Sequence, residues 1–149
     1  MNLPRCRAQL HKRRWEENMT YIATKRLPQT RRVLLAGDDH TLRLQLGKVM
    51  GSAGFDVTYA ESGNSTLKLF DYARGRFDLL IADTCMPETS GSALVHAIRQ
   101  RDQDIPIIAI TDLVRPELLS EIASCNGRLF EKPVNVKSMC THIDTLQLI

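Results

Sequence analysis

No run of apolar residues in this chain approaches the roughly 18 that a membrane-spanning helix requires. The N-terminal stretch MNLPRCRAQLHKRRW lacks the apolar segment of a secretory signal. Together these absences point to the cytoplasm. Cysteine is sparse and dispersed: Cys6, Cys85, Cys125 and Cys140 form no C-x-x-C pair. That spacing argues against a zinc site or a disulfide framework and for reduced, mostly buried thiols. Aromatic residues among the first 32 positions are limited to Trp15 and Tyr21, and no nucleic-acid-binding pattern accompanies them.

What the chain does have is a length of 149 residues, 43% of them hydrophobic and 25% charged, which suits one globular domain with a real core. The net charge of +3 is unevenly spread. Residues 1–32 hold nine of the 20 basic side chains and two of the 17 acidic ones, a net of +7. The remainder holds 11 basic and 15 acidic, a net of −4. A basic extension over residues 1–31 is therefore expected before a mildly acidic domain over residues 32–149. The extension's one helical stripe is Trp15, Met19 and Ile22, and it is read as a short helix or a solvated segment, with Met19 an alternative start of translation. Its positive charge is also suited to nucleic acid or an anionic membrane, but neither partner is expected.

From Arg32 onward, short apolar runs alternate with helical spacing, the pattern of a parallel α/β sheet. The runs are Val33–Ala36, Val57–Ala60, Leu79–Ala82, Ile107–Ile110 and a weaker Arg128–Phe130. The first, third and fourth are apolar throughout and predict central strands buried on both faces. Between them lie helical stripes: Leu42, Leu46, Val49 and Met50; Leu67, Phe70 and Ala73; Leu94, Val95 and Ile98; Leu118, Leu119 and Ile122. Val136, Met139, Ile143 and Leu146 predict a closing helix. Gly51 and Gly54 mark the exit from the first helix. The whole is five βα units with right-handed crossovers.

In such a sheet, reactive groups gather where the strands end. Asp38-Asp39 follow the first strand, Asp83 the third, Thr111-Asp112 the fourth and Lys132 the fifth. Any one of these has an ordinary explanation as a helix cap, an Asx-turn or a loop lysine. Four at the ends of different strands make a constellation.

Residues 32–149 resemble the receiver domain of two-component response regulators, through "LLAGDDHTLR", "LLIADTCMPETSG", "IIAIT" and "LFEKP". The D-x-x-M-P-x-x-S-G string followed by a Lys-Pro is the specific part. The resemblance implies a flavodoxin-like (βα)5 three-layer sandwich with sheet order 2-1-3-4-5. It implies that Asp83 accepts a phosphoryl group from a phosphohistidine, making the chain a signalling phosphoacceptor and not an enzyme acting on outside substrates. Mg2+ would be held by Asp38, Asp83, the Cys85 backbone carbonyl and, as a further candidate, Asp39. Lys132 would pair with Asp83 and then with phosphoryl oxygens, and Thr111 would donate its hydroxyl to the phosphoryl group. A cis Lys132-Pro133 peptide is implied as well. The expected partners are a sensor histidine kinase or histidine phosphotransfer protein, an unknown downstream protein, and a second copy through the face of the fourth helix, fifth strand and fifth helix. A stand-alone receiver is expected, because the chain stops where the fifth helix should end.

Three positions depart from the family pattern. Gly37 stands where a first acidic residue is usual, Asp112 where Ala or Gly follows the hydroxyl residue, and Leu129 where an aromatic switch residue is usual. They motivate an alternative, a degenerate receiver that binds partners without phosphorylation. An aspartyl-phosphate phosphatase is set aside, since Asp83-Thr84-Cys85 lacks the second acid of D-x-D.

Overall fold

A buried parallel strand must satisfy its backbone within the sheet and its side chains on both faces, and the apolar runs do both. The computed structural model describes residues 30–86, 89–146 and 148. The Trp15, Met19 and Ile22 stripe, almost all of the basic extension, and Pro87-Glu88 of the Asp83 loop lie outside the described residues. Among the described residues, strands and helices alternate as β1 (Arg31–Ala36), α1 (His40–Ser52), β2 (Phe55–Ala60), α2 (Gly63–Tyr72) and β3 (Leu79–Asp83). They continue as α3 (Gly91–Arg101), β4 (Ile107–Thr111), α4 (Pro116–Ser124), β5 (Gly127–Glu131) and α5 (Val136–Thr145). The strands form one sheet in the order β2-β1-β3-β4-β5, and all pairings are parallel. This is the doubly wound sandwich the sequence predicts, with β3 at its centre.

Alternation along the strands divides the core in two. Leu34, Leu80, Ala82, Ile107 and Ala109 face Phe70 of α2, Leu94, Val95 and Ile98 of α3, and Ile122 of α4. Val33, Leu35, Leu79, Ile81, Ile108 and Ile110 face Leu46 and Met50 of α1 and Met139 and Ile143 of α5. Each fully buried Leu or Ile contributes about 1.5–3 kcal/mol relative to exposure, so both layers are strongly held. Two predicted stripes include a residue that is exposed. Leu119 of α4 is 50% exposed and Val136 of α5 is 38% exposed, because α4 turns only Ile122 fully inward and Val136 opens the first turn of its helix. The first helix does not stop at Gly51: it runs on to Ser52, and Gly54 takes the left-handed turn at φ 91°.

Helix starts follow their local chemistry. Asp39, Ser62, Ser90 and Asn135 each accept a backbone N–H from their own first turn, at α1, α2, α3 and α5. Arg115 at α4 supplies no such cap, and Pro116 begins the helix instead. Gly91 has a different reason for its identity. Its N–H donates to the Thr84 carbonyl at 3.2 Å, and a Cβ at position 91 would run into the Thr84 backbone. The Ser90-Gly91 pair thus caps α3 and lets Thr84 pack against its first turn.

Candidate functional site

The topology brings the ends of β1, β3, β4 and β5 side by side. Asp83 terminates β3 and is 2% exposed, a depth at which a carboxylate needs partners. It has two. Lys132 Nζ donates to Oδ2 at 2.8 Å, and the Cys85 backbone N–H donates to Oδ1 at 2.9 Å, closing an Asx-turn. Lys132 is held in place by its own N–H donating to the Thr111 carbonyl at 2.8 Å, just beyond the Thr111–Glu131 pairing. Its peptide bond to Pro133 is cis.

Two further carboxylates face the same ammonium. Asp112 Oδ1 lies 3.5 Å from Lys132 Nζ and Asp39 Oδ2 lies 4.0 Å away. Burial by itself would lower the Lys132 pKa; the hydrogen bond and charge of Asp83, with the charge of Asp112, outweigh it and hold the pKa above its ordinary 10.5. Three carboxylates about one ammonium leave a net charge near −2, an all-oxygen environment suited to a hard divalent cation.

Each residue expected at the site has a definite place. Asp39 both caps α1, with Oδ1 accepting from Leu42 N–H at 3.1 Å, and turns Oδ2 toward Lys132. Asp38 is exposed and lines a separate groove of about 1070 Å³ with His40, Arg43, Tyr59 and Glu61. Gly37 is buried against Asp83: a Cβ there would sit 3.3 Å from Asp83 Cβ, tight enough that one of the two must give. The Thr111 hydroxyl does not touch Asp83. It donates to the Leu113 carbonyl at 3.1 Å and accepts from Leu113 N–H at 3.3 Å, so the loop after β4 is closed on itself. Asp112 does not cap α4. Cys85 exposes its side chain while its backbone serves the site. The sequence reading assigned Cys85 a carbonyl role and missed its N–H; an Asx-turn after a strand-terminal aspartate was the available signal.

At the fifth strand, Leu129 packs into the layer of α2, α3 and α4, and Phe130 into that of α1 and α5, 6.1 Å from the His142 ring. Phe130 is thus on the opposite face from the position where an aromatic switch residue is expected.

With a buried strand-end aspartate on a cis Lys-Pro lysine, the comparison with known proteins is decisive. Residues 33–144 match the response regulator receiver domain. The chain belongs to the response regulator receiver family. It is 29% identical over 117 residues to the response regulator receiver protein CpdR of Brucella abortus, covering 78% of this chain and 96% of that one. It is 29% identical over 124 residues to the sensor protein EvgS of Escherichia coli, covering 83% of this chain but only 10% of that much longer protein. Among solved structures, the chemotaxis response regulator CheY4 of Vibrio cholerae superposes with a TM-score of 0.70 at 26% identity, over 79% of this chain and 99% of that one. The CheY of a CheX-CheY-BeF3-Mg+2 complex from Borrelia burgdorferi superposes with a TM-score of 0.73 at 19% identity over 78% of this chain and 88% of that one, a likeness of fold. Among the described residues no helix is long and apolar enough to cross a membrane.

A receiver's metal would have to fit this donor set. No three His, Cys, Asp or Glu side chains among the described residues are grouped closely enough to hold a metal ion by themselves. Magnesium asks for less: one or two carboxylates, with water and phosphate oxygens completing its octahedron. Asp83 at the end of β3 and the adjacent Asp38 and Asp39 after β1 are carboxylates of that kind.

Proposed function

We propose that this receiver domain accepts a phosphoryl group on Asp83 from a histidine kinase or histidine phosphotransfer protein and signals through a partner. The observation that carries the reading is the buried Asp83 carboxylate with Lys132 Nζ at 2.8 Å, at the end of the central strand. Asp83 is the nucleophile: one of its oxygens bonds to phosphorus as the bond from phosphorus to the donor breaks. Lys132 meets the negative charge that gathers on the phosphoryl oxygens. Asp83, the Cys85 carbonyl and Asp38 or Asp39 would hold Mg2+, which would supply positive charge between two groups that otherwise repel. Asp39 Oδ2 lies 4.0 Å from Lys132 Nζ, and Asp38 lines the neighbouring groove.

Once Asp83 is phosphorylated, the Thr111 hydroxyl leaves Leu113 for a phosphoryl oxygen, and the loop that joins β4 to α4 moves with it. The exposed Leu113, Val114 and Leu119 lie on that loop and helix, so the movement reshapes an apolar surface available to a downstream protein or a second copy. Among the described residues Cys85, Cys125 and Cys140 are free thiols, in keeping with the cytoplasm as the place of work.

The test is incubation with Mg2+ and acetyl phosphate, followed by intact-mass measurement. Wild type should gain about 80 Da, one phosphoryl group, and Asp83→Asn should gain nothing. An unmodified wild type, or equal gain in the variant, rejects the assignment.

A further inference from the structure

Lys132 is shared by Asp83 and by Asp112, which sits on the same loop as Thr111. Asp112 Oδ1 is 3.5 Å from the ammonium, while the Thr111 hydroxyl is tied both ways to the Leu113 backbone. The loop therefore has two anchors in the resting state, one internal and one on the lysine that the incoming phosphoryl group must engage. Asp112 also lines a groove of about 420 Å³ just past Asp83, together with Thr84, Cys85, Thr111 and Arg115. An anionic donor that used this groove would meet the Arg115 guanidinium at its wall and, nearer Lys132, the exposed Asp112 carboxylate.

We propose that Asp112 is a positioning residue that gates the site by charge: it latches the loop after β4 to Lys132, favours the cation and opposes the phosphoryl dianion. The proposal rests on the phosphoacceptor reading and adds how this chain's site is regulated. In the transfer from acetyl phosphate, an Asp83 oxygen forms the new bond to phosphorus. The bond from phosphorus to the acetate oxygen breaks, and acetate leaves with that electron pair. Lys132 then turns to the phosphoryl oxygens, and Asp112 loses its counter-ion while facing a new like charge. Both changes push Asp112 outward, releasing the loop for Thr111 to move. The resting state is held by the same contact that phosphorylation removes.

The full chain tests this in two arms, with Mg2+ alone followed by calorimetry and with acetyl phosphate followed by intact mass. Removing one charge at this distance from the site, near its solvent-exposed rim, changes each equilibrium or rate by about threefold, more for a dianion than for a single charge. In Asp112→Asn, Mg2+ should bind about threefold more weakly while phosphorylation runs at least about threefold faster. Both differences should shrink at about 0.5 M salt, where the Debye length is only a few ångströms. Asp112→Glu should restore wild-type behaviour in both arms. A misfolded site would weaken both arms together, and that result overturns the gate, as does unchanged Mg2+ affinity or a difference indifferent to salt. If wild type takes up no phosphoryl group, the phosphoacceptor reading fails, and the Mg2+ arm still decides whether Asp112 acts on the site by charge.

Discussion

Replacing Lys132 by Met removes the one ammonium shared by Asp83, Asp112 and Asp39. Deleting one partner of a buried ion pair typically costs 3–5 kcal/mol, because the other charge is left without compensation. Here Asp83 is 2% exposed and keeps the Cys85 N–H, while the Lys132 side chain retains 18% exposure, so the low end applies, about 3 kcal/mol. With a urea m-value of about 1.5 kcal/mol/M, the midpoint in a chelating buffer should fall by about 2 M. Asp83→Asn is not the mirror image. It leaves Lys132 paired with Asp112 and relieves repulsion among three carboxylates, so it should stay within about 1 kcal/mol of wild type. Because Lys132→Met makes the site more negative, Mg2+ should stabilise that variant more than it stabilises wild type. Equal costs for the two substitutions, or a Lys132→Met midpoint within experimental scatter of wild type, would refute the shared-lysine account.

Asp39→Asn keeps an N-cap acceptor for Leu42 N–H, so it should leave stability unchanged while weakening Mg2+ binding; Asp39→Ala should weaken Mg2+ binding and also cost about 1 kcal/mol in thermal or urea denaturation. Gly91→Ala drives a Cβ into the Thr84 backbone and should cost about 2–3 kcal/mol, while disturbing the amide resonances of Cys85. His142 has a pKa below the ordinary 6.5, through burial and then the positive charge of Arg128. Since the folded pKa lies below the unfolded one, His142 contributes stability above about pH 6.5 that is lost as pH falls through the folded value. Arg128→Gln should raise the His142 pKa part of the way back, as read by NMR titration, and an unmoved titration would count against that charge.

The three inner strands were legible because strands buried on both faces leave unbroken apolar runs, and Leu79 to Asp83 is the plainest of them; the edge strands β2 and β5, partly exposed, left weaker signals. α4 was less so: a stripe of Leu118, Leu119 and Ile122 reads as a buried face, but the helix lies at the surface and spends Leu119 on solvent. At the site, the strand ends told which residues meet, since a parallel sheet aligns its carboxyl ends. Which way each side chain turns was not readable. Asp38 and Asp39 are adjacent and chemically identical, yet Asp39 caps α1 and faces Lys132 while Asp38 lines another groove. Asp112 offered two outcomes, helix cap or site carboxylate; Pro116 begins α4 without a side-chain cap, and the aspartate turns to the lysine.

The central claim is that Asp83 is the covalent acceptor. Peptide-level mass mapping after brief exposure to Mg2+ and acetyl phosphate should locate the phosphoryl group on the peptide that contains Asp83, and its omission in Asp83→Asn should leave every other peptide unmodified. A phosphoryl group mapped to a different residue in wild type, or persisting in the variant, would contradict the claim.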